Sequence, residues 1–117
     1  EVYHPEAIDK NLLEKIPSKY KLIGINRYLD NNKIITDMNV PEIIEDVHGQ
    51  KYELASVSIY SSSNGKYGHY YAYSKNDSGD WYKINDSIIT RKGSYDEIKN
   101  DVYEKSRLVL YRPVVNK

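Results

Sequence analysis

The amino-acid sequence predicts an α+β domain built mainly on an antiparallel β-sheet, with two or three short helices. Runs in which polar and apolar residues alternate recur through the second half of the chain and are typical of strands. Stretches of Asn, Asp, Ser and Gly separate these runs and are typical of turns. Helical spacing of apolar residues is confined to short segments. A length of 117 residues suits a single domain.

The first half of the chain predicts a short helix followed by strands and turns. Residues Glu6–Lys15 place Ile and Leu at roughly helical spacing behind Pro5, and Pro17 ends the pattern. The elements that follow are a strand over Tyr20–Leu29, a turn at Asp30–Asn32, a short strand over Lys33–Thr36 and a helical turn over Pro41–Glu45.

The second half of the chain carries the clearest strand patterns. The predicted strands are Tyr52–Tyr60, Tyr67–Ser74, Trp81–Asp86 and Arg107–Arg112. Polar residues between them predict a loop over Ser61–Gly65 and a turn over Lys75–Asp80. Ser94 and Glu97 match the capping-box pattern, which predicts a helix over Tyr95–Val102.

The charge balance excludes several classes of protein. Lys+Arg and Asp+Glu number 17 each, so the net charge is zero, whereas a general nucleic-acid or anionic-membrane binder needs a basic surplus. No apolar run approaches the roughly 18–20 residues of a membrane span. The three His residues do not form a metal-ligand spacing and no cofactor motif is present, so we predict neither a metal nor a cofactor.

The absence of Cys excludes disulfides, Cys-based zinc sites and a thiol nucleophile within these 117 residues. Phe is absent too, and 13 of the hydrophobic residues are Tyr, so the supply of aliphatic side chains is thin. We therefore expect either Tyr rings packed against the core or a segment taken from a larger domain. The N-terminal stretch Glu1–Pro5 has no signal-peptide pattern, which indicates a processed or excised segment.

One dense cluster of site-like residues lies on the hairpin predicted around residue 75. If Ser74 faces Asp80 across a five-residue loop, His69 faces Asn85 on the same side of the sheet. Opposed residues have Cβ atoms roughly 4.5–5.5 Å apart, so an Asn oxygen can accept from one imidazole nitrogen and leave the other nitrogen free as a base. A change of one residue in the register would place Asp86 there instead.

Glycine and aromatic residues around His69 indicate a surface for a substrate. Gly68 leaves the approach to the imidazole open, so that a substrate backbone can pass close to the base. The other candidate substrate-binding residues are Tyr67, Tyr70, Tyr71 and Trp81. The alternative, and on pattern alone the commoner case, is a half-buried packing histidine in a Tyr-rich hydrophobic face.

Several motifs along the chain occur together and in a fixed order. They are Tyr52-Glu53-Leu54-x-x-Val57, Gly68-His69-Tyr70-Tyr71-Ala72-Tyr73, Trp81-Tyr82-Lys83-Ile84-Asn85-Asp86 and Leu108-Val109-Leu110-Tyr111. With the upstream stretch from Ile16 to Tyr28, they resemble the His-box half of ubiquitin-specific proteases, which are papain-like cysteine deubiquitinases. The resemblance covers the chain from about Ala7 to Pro113.

The resemblance implies a role for each matching residue. His69 matches the general base of that family, Asn85 the polar residue that orients it, and Asp86 the adjacent acidic residue that assists or replaces Asn in some members. It also implies ubiquitin or a ubiquitin-like protein as the partner, and an intracellular, cytoplasmic or nuclear, location. The nucleophilic Cys of the family belongs to a helical thumb subdomain that is not in this chain. Tyr60 departs from the pattern, since His is frequent at that position.

Three functions stay open on the sequence. The leading hypothesis is the C-terminal palm portion of a cysteine deubiquitinase that hydrolyses the bond at the C-terminal Gly of ubiquitin, with the thiol supplied by the Cys-bearing half. The isolated chain should then be inactive. One alternative is a catalytically inactive ubiquitin-binding or scaffold module whose aromatic surface is formed by Tyr67, Tyr71, Tyr73 and Trp81. The other is a related papain-like protease, for instance a viral one. A palm sheet without its thumb should also expose an apolar, Tyr-rich face with His69 at its edge.

Overall fold

The computed structural model describes residues 2–3, 20–28, 33–62 and 68–114, which form one eight-stranded sheet with a short α-helix. The strands are β1 (Val2–Tyr3), β2 (Lys21–Ile25), β3 (Ile43–Glu45), β4 (Lys51–Ser62), β5 (Gly68–Lys75), β6 (Trp81–Asn85), β7 (Ile88–Gly93) and β8 (Ser106–Pro113). A 3-10 turn over Tyr95–Glu97 precedes the helix α1, Lys99–Lys105. The helix predicted over Glu6–Lys15, the turn at Asp30–Asn32 and the predicted loop from Ser63 onwards lie outside the described residues.

The order of the strands in the sheet places β8 between β2 and β4. Along the sheet the order is β1-β2-β8-β4-β5-β6-β7, and β3 pairs with β4 beside this path. The pairing of β1 with β2 is parallel, and the other strand pairs are antiparallel. The predicted α+β class with a mainly antiparallel sheet is therefore confirmed.

A β-bulge in β4 moves the buried face of the strand from one set of residues to the other. Tyr52 and Leu54 are fully buried before the bulge, and Val57 and Ile59 are fully buried after it. The pairing with β8 changes register between Leu54 and Ser56. The extra residue lets this 12-residue strand bury apolar side chains along most of its length.

Tyrosine rings fill the core in place of the missing Phe. Tyr95 packs against the fully buried Trp81 with ring centroids 5.7 Å apart, and its hydroxyl donates a 2.7 Å hydrogen bond to the carbonyl of Val40. The hydroxyl of Tyr111 likewise donates to the carbonyl of Pro41 at 2.6 Å. The rings supply apolar area, and backbone carbonyls satisfy the hydroxyls that burial removes from water.

A buried arginine ties the segment after β2 to α1 and β8. The Arg27 guanidinium donates to the backbone carbonyls of Ser106, Ile35 and Val102 at 2.7, 2.9 and 3.1 Å. It also donates to the Ser106 hydroxyl at 3.0 Å. Burial, with the nearby positive charge of Arg107, lowers the pKa of Arg27 to about 10.

Two secondary-structure predictions in the first half, one of a helical turn and one of a strand, are wrong. Ile43–Glu45 is a strand paired with β4, where we expected a helical turn, because it buries Ile44 between two exposed neighbours in strand alternation. The predicted strand Lys33–Thr36 provides one isolated bridge, between Ile34 and Tyr28.

The segment between β6 and β8 also differs from the prediction. We did not predict β7, and five of its six residues are exposed, so it lacks the alternation that marks a half-buried strand. The predicted helix Tyr95–Val102 is divided into the 3-10 turn and α1, and the Ser94 side chain makes no capping hydrogen bond. Within the described part of the chain, no helix is long and apolar enough to cross a membrane.

The face of the sheet opposite α1 carries exposed aliphatic side chains. His69 projects from the other face, because it shares the odd-numbered positions of β5 with the buried Tyr73. The expected exposed apolar face is therefore on the opposite side of the sheet from His69, and it is largely aliphatic. One row of paired residues across β8, β4, β5 and β6 shows its character: Leu108, Ser58, Ala72 and Ile84.

Candidate functional site

The hairpin of β5 and β6 positions the candidate site. The N–H of Asn76 donates to the carbonyl of Asp80 at 2.9 Å, and Asn76 Oδ1 accepts from the N–H of Asp80 at 2.9 Å. These bonds close a loop over residues 76–80, so that Lys75 faces Trp81. The predicted pairing of Ser74 with Asp80 is therefore wrong, and each residue of β5 faces a residue two positions further along β6. A shift of two positions keeps the same side chains on each face.

His69 and Asn85 side chains meet across this hairpin. Nε2 of His69 lies 2.5 Å from Oδ1 of Asn85. In the observed register Asn85 falls beside Tyr71, so its contact with His69 is diagonal, as the twist of paired strands allows. His69 is exposed and Asn85 is half-buried.

The direction of this hydrogen bond determines which imidazole nitrogen is available as a base. Oδ1 of Asn85 can only accept, so Nε2 of His69 carries the hydrogen and donates. In the neutral ring the lone pair then lies on Nδ1, which has no hydrogen-bond partner among the described residues. The pair therefore presents an exposed imidazole in one tautomer, with Nδ1 ready to take a proton.

Tyr71 connects the imidazole to helix α1. Its ring is stacked on that of His69, with centroids 6.2 Å apart and an angle of 29° between the planes. Its hydroxyl donates a 2.6 Å hydrogen bond to Oδ2 of Asp101, and the Tyr73 hydroxyl donates to the same oxygen at 2.6 Å. Burial, together with the bonds to Asp101, raises the pKa of both Tyr71 and Tyr73 far above the ordinary value.

Two lysines lie beside the hydrogen-bonded pair of Tyr71 and Asp101: Lys83 is next to the Tyr71 ring and Lys105 is next to the Asp101 carboxylate. Lys83 Nζ lies 4.3 Å from the centre of the Tyr71 ring, a cation–π distance. Lys105 Nζ lies 3.6 Å from Oδ1 of Asp101, one helical turn away. Asp101 is not among the predicted site residues, because it lies 30 residues from Tyr71 and no local pattern indicates their contact.

Gly68 lies against the Tyr60 ring on the face of β5 opposite His69. A Cβ atom at this position would overlap the ring of Tyr60 on the neighbouring strand. That ring packs against Tyr70 with centroids 4.7 Å apart. The absence of a side chain at Gly68 thus lets Tyr60 cover the backbone immediately before His69.

Asp86 is a predicted catalytic residue that does not contact His69 in this structure. Asp86 lies in the turn between β6 and β7 with a φ of 54°, and the side chain that accepts the hydrogen bond of His69 is that of Asn85. Tyr67 lies outside the described residues. Among the residues that the structure describes, no group of His, Asp and Glu is arranged to hold a metal ion.

The predicted aromatic surface does not form as we expected. Trp81 is fully buried against Tyr95, so a direct contact of Trp81 with a substrate is inconsistent with this structure. Tyr73 is 4% exposed and belongs to the same core. Tyr70 is 65% exposed but lies on the opposite face of β5 from His69. Of this set, Gly68 and Tyr71 are the residues that stand beside the imidazole.

A model of a known protein family matches this chain. The model described as "Ubiquitin carboxyl-terminal hydrolase" matches residues 6–111, which is most of the chain. No curated protein matches the sequence significantly.

Solved structures share the fold. The SAGA DUB module Ubp8/Sgf11/Sus1/Sgf73 bound to monoubiquitin matches with a TM-score of 0.67 and 23% identity over 87% of this chain and 24% of that chain. The module bound to ubiquitin aldehyde matches with a TM-score of 0.64 and 21% identity over 87% and 26%. An essential yeast splicing factor matches with a TM-score of 0.62 and 16% identity over 86% and 26%. The chain thus spans about a quarter of the length of each protein.

Proposed function

Because this chain belongs to the ubiquitin carboxyl-terminal hydrolase family and corresponds to its C-terminal portion, we propose that residues 1–117 are a single segment of a cysteine-type deubiquitinase. This segment supplies the general base. The observation that carries the proposal is the contact of His69 Nε2 with Asn85 Oδ1, which leaves Nδ1 of an exposed imidazole unoccupied. The nucleophilic thiol comes from another segment or chain, since these 117 residues contain no Cys.

In this mechanism His69 moves one proton in each half-reaction. It takes the proton of the thiol on Nδ1 as the thiolate attacks the carbonyl carbon at the C-terminal Gly of ubiquitin. The proton passes to the leaving amine as the C–N bond breaks and a thioester forms. His69 then takes a proton from the water that hydrolyses the thioester, and returns it to the thiol. Ubiquitin leaves with a free carboxylate.

Asn85 and Tyr71 act through the imidazole. The Asn85 oxygen holds the Nε2–H tautomer and also stabilises the imidazolium that forms when Nδ1 is protonated. The Tyr71 ring limits the tilt of the imidazole, because its hydroxyl is itself fixed by Asp101. The exposed side of the imidazole is where the ubiquitin tail passes the base, since the space at Gly68 is covered by the Tyr60 ring. Such an activity belongs to the cytoplasm or the nucleus, where ubiquitin conjugates occur.

A ubiquitin-binding module without hydrolytic activity is the second candidate function. It is favoured by the absence of Cys from these 117 residues. In that case the His69–Asn85 pair would be a retained structural feature of the strand pair, and the segment would recognise ubiquitin without cleaving it.

One experiment separates these functions. The protein that carries both this chain and the thiol is assayed with ubiquitin linked to a fluorogenic amine, with and without His69→Ala and Asn85→Ala. We expect His69→Ala to abolish turnover and Asn85→Ala to lower it about 10²–10⁴-fold, as loss of general-base catalysis does. The isolated 117-residue chain should bind ubiquitin and show no turnover. Full activity of the His69→Ala protein would contradict the proposal.

A further inference from the structure

A cleft separate from the His69 pair lies where β4 ends and β8 begins. It has a volume of about 380 Å³ and is open to solvent on one side. Tyr28 and Tyr60 form two of its walls, Ile34 adds an aliphatic wall, and Arg107 lies within it. The proposed hydrolysis uses none of these four side chains.

Among the described residues, two aromatic rings hold the guanidinium of Arg107 in this cleft. Its guanidinium carbon lies 5.2 Å from the centre of the Tyr28 ring and 5.3 Å from that of Tyr60. Both are cation–π distances, so the rings fix the plane of the guanidinium. Its Nε is buried and donates no hydrogen bond within the structure. Among the described residues, Arg107 makes no ion pair either.

The contrast with Arg27 shows how unusual this is. Arg27 also lines the cleft, but three backbone carbonyls and one hydroxyl accept its hydrogen bonds. A guanidinium has five donors, and buried donors in native proteins nearly always have acceptors. The guanidinium of Arg107 is thus held in place without a hydrogen-bond acceptor in the part of the chain that the structure describes.

We propose that this cleft binds a carboxylate side chain of an acidic polypeptide. The Nε of Arg107 is buried, so the two Nη groups at the open end of the guanidinium are the donors that can reach the two oxygens of a carboxylate. Ile34 and the two tyrosine rings fit the methylene groups that carry such a carboxylate. Arg27, Lys105 and Arg107 line the cleft against a single Glu104, so its lining is positively charged and favours an anion.

The position of the cleft favours a polypeptide as the source of the carboxylate. Tyr60, which forms one wall, covers the backbone of Gly68 next to His69. Ser61 is paired with His69 across β4 and β5. A chain bound along the end of these strands can therefore reach the cleft. The proposal concerns binding alone and holds whether or not His69 takes part in hydrolysis.

The test uses two labelled octapeptides of Gly and Ser, one with two adjacent Glu residues and one with Gln in their place. Binding to the full chain is measured by fluorescence polarisation, and the Arg107 Nε–H resonance is followed by NMR. We expect the Glu peptide to bind about tenfold more tightly than the Gln peptide and to move the Nε–H resonance. Arg107→Gln should remove this preference, and Arg107→Lys should retain part of it.

Arg91→Gln is the matched control, because Arg91 is 63% exposed on β7 and pairs with Asp80. Its removal should leave the preference for Glu unchanged. Equal binding of the two peptides, or an Nε–H resonance that the Glu peptide does not move, would overturn the proposal. So would inorganic phosphate that displaces the Glu peptide at equal concentration. If Arg107→Gln fails to fold, the resonance of the unmodified chain still decides.

Discussion

Tyr71 and Asp101 are joined by a 2.6 Å hydrogen bond that ties the strand carrying His69 to helix α1. The same carboxylate oxygen accepts from Tyr73 at 2.6 Å, so one residue of the helix holds two neighbouring side chains of β5. Because the Tyr71 ring is stacked on His69, the position of the imidazole depends on a helix that contributes no residue to the hydrogen-bonded pair.

Replacing Asp101 should therefore loosen β5. Asp101→Asn removes the negative charge that two tyrosine hydroxyls share, and hydrogen bonds to charged groups contribute about 1.5–3 kcal/mol each. We expect the free energy of unfolding, measured in urea, to fall by about 1–3 kcal/mol. Asp96→Asn is the control, because Asp96 is 81% exposed and pairs with Lys99 on the surface. A change of similar size in both variants would contradict this account.

Asn85 should fix the tautomer of His69. In the unmodified chain, imidazole nitrogen shifts in NMR should show Nε2 protonated and Nδ1 free at a pH where the ring is neutral. Asn85→Ala should give a mixture of the two tautomers, because the acceptor is gone. Asp86→Ala should leave the shifts unchanged, since Asp86 lies in the β6–β7 turn. The reverse result would assign the orienting role to Asp86.

High pH should unfold the chain through its buried tyrosines. Burial comes first among the causes that raise the pKa of Tyr71, Tyr73 and Tyr95 in the folded state, whereas an unfolded tyrosine ionises near pH 10. Above pH 10 the unfolded chain therefore binds fewer protons than the folded chain, and stability falls as pH rises. Unfolding curves from pH 8 to 11 should show this loss. Tyr71→Phe should reduce the loss, and a stability that rises with pH would refute it.

Gly68 should tolerate no side chain while Tyr60 is present. Gly68→Ala places a Cβ in the Tyr60 ring, which also contacts Tyr70 and Arg107, and such overpacking typically costs about 1–3 kcal/mol. Urea unfolding of Gly68→Ala and of the double variant with Tyr60→Ser should show that the second change restores part of the loss.

Gly79→Ala provides the matched control for this prediction. A Cβ at Gly79 meets nothing within 4 Å, but the φ of 88° strains any other residue. We expect a loss of about 1 kcal/mol that Tyr60→Ser does not restore. Rescue of both glycine variants alike would show that the Tyr60 contact is not the cause.

The contact of His69 with Asn85 could be predicted from the sequence even though the predicted register of the two strands is wrong. The two strands and the five-residue loop follow from local patterns, and the face of each side chain depends only on whether its position is odd or even. The loop starts one residue later than expected, because Asn76 bonds to Asp80 on both its backbone and its side chain. The partner on β6 thus moved by two positions and stayed on the same face.

Other features depend on contacts that no local pattern encodes. The sequence indicates that Trp81 belongs to an exposed substrate-binding surface, yet packing against Tyr95 buries it completely. β7 has no alternation, since it lies at the edge of the sheet and is held by β6 alone. The support that Asp101 gives to Tyr71 arises where α1 packs on the sheet. Tertiary packing decides each of these cases.

The strand order also has a consequence for how the protein is made. β8 lies between β2 and β4. The carbonyl of Ser106, at the start of β8, accepts a hydrogen bond from the side chain of Arg27, 79 residues earlier in the chain. On the ribosome, β2 and β4 emerge with no neighbour for the edges that β8 will pair. The sheet can close only after residue 113 has left the exit tunnel, so these edges stay open to chaperones, or to aggregation, while the residues between β4 and β8 are made.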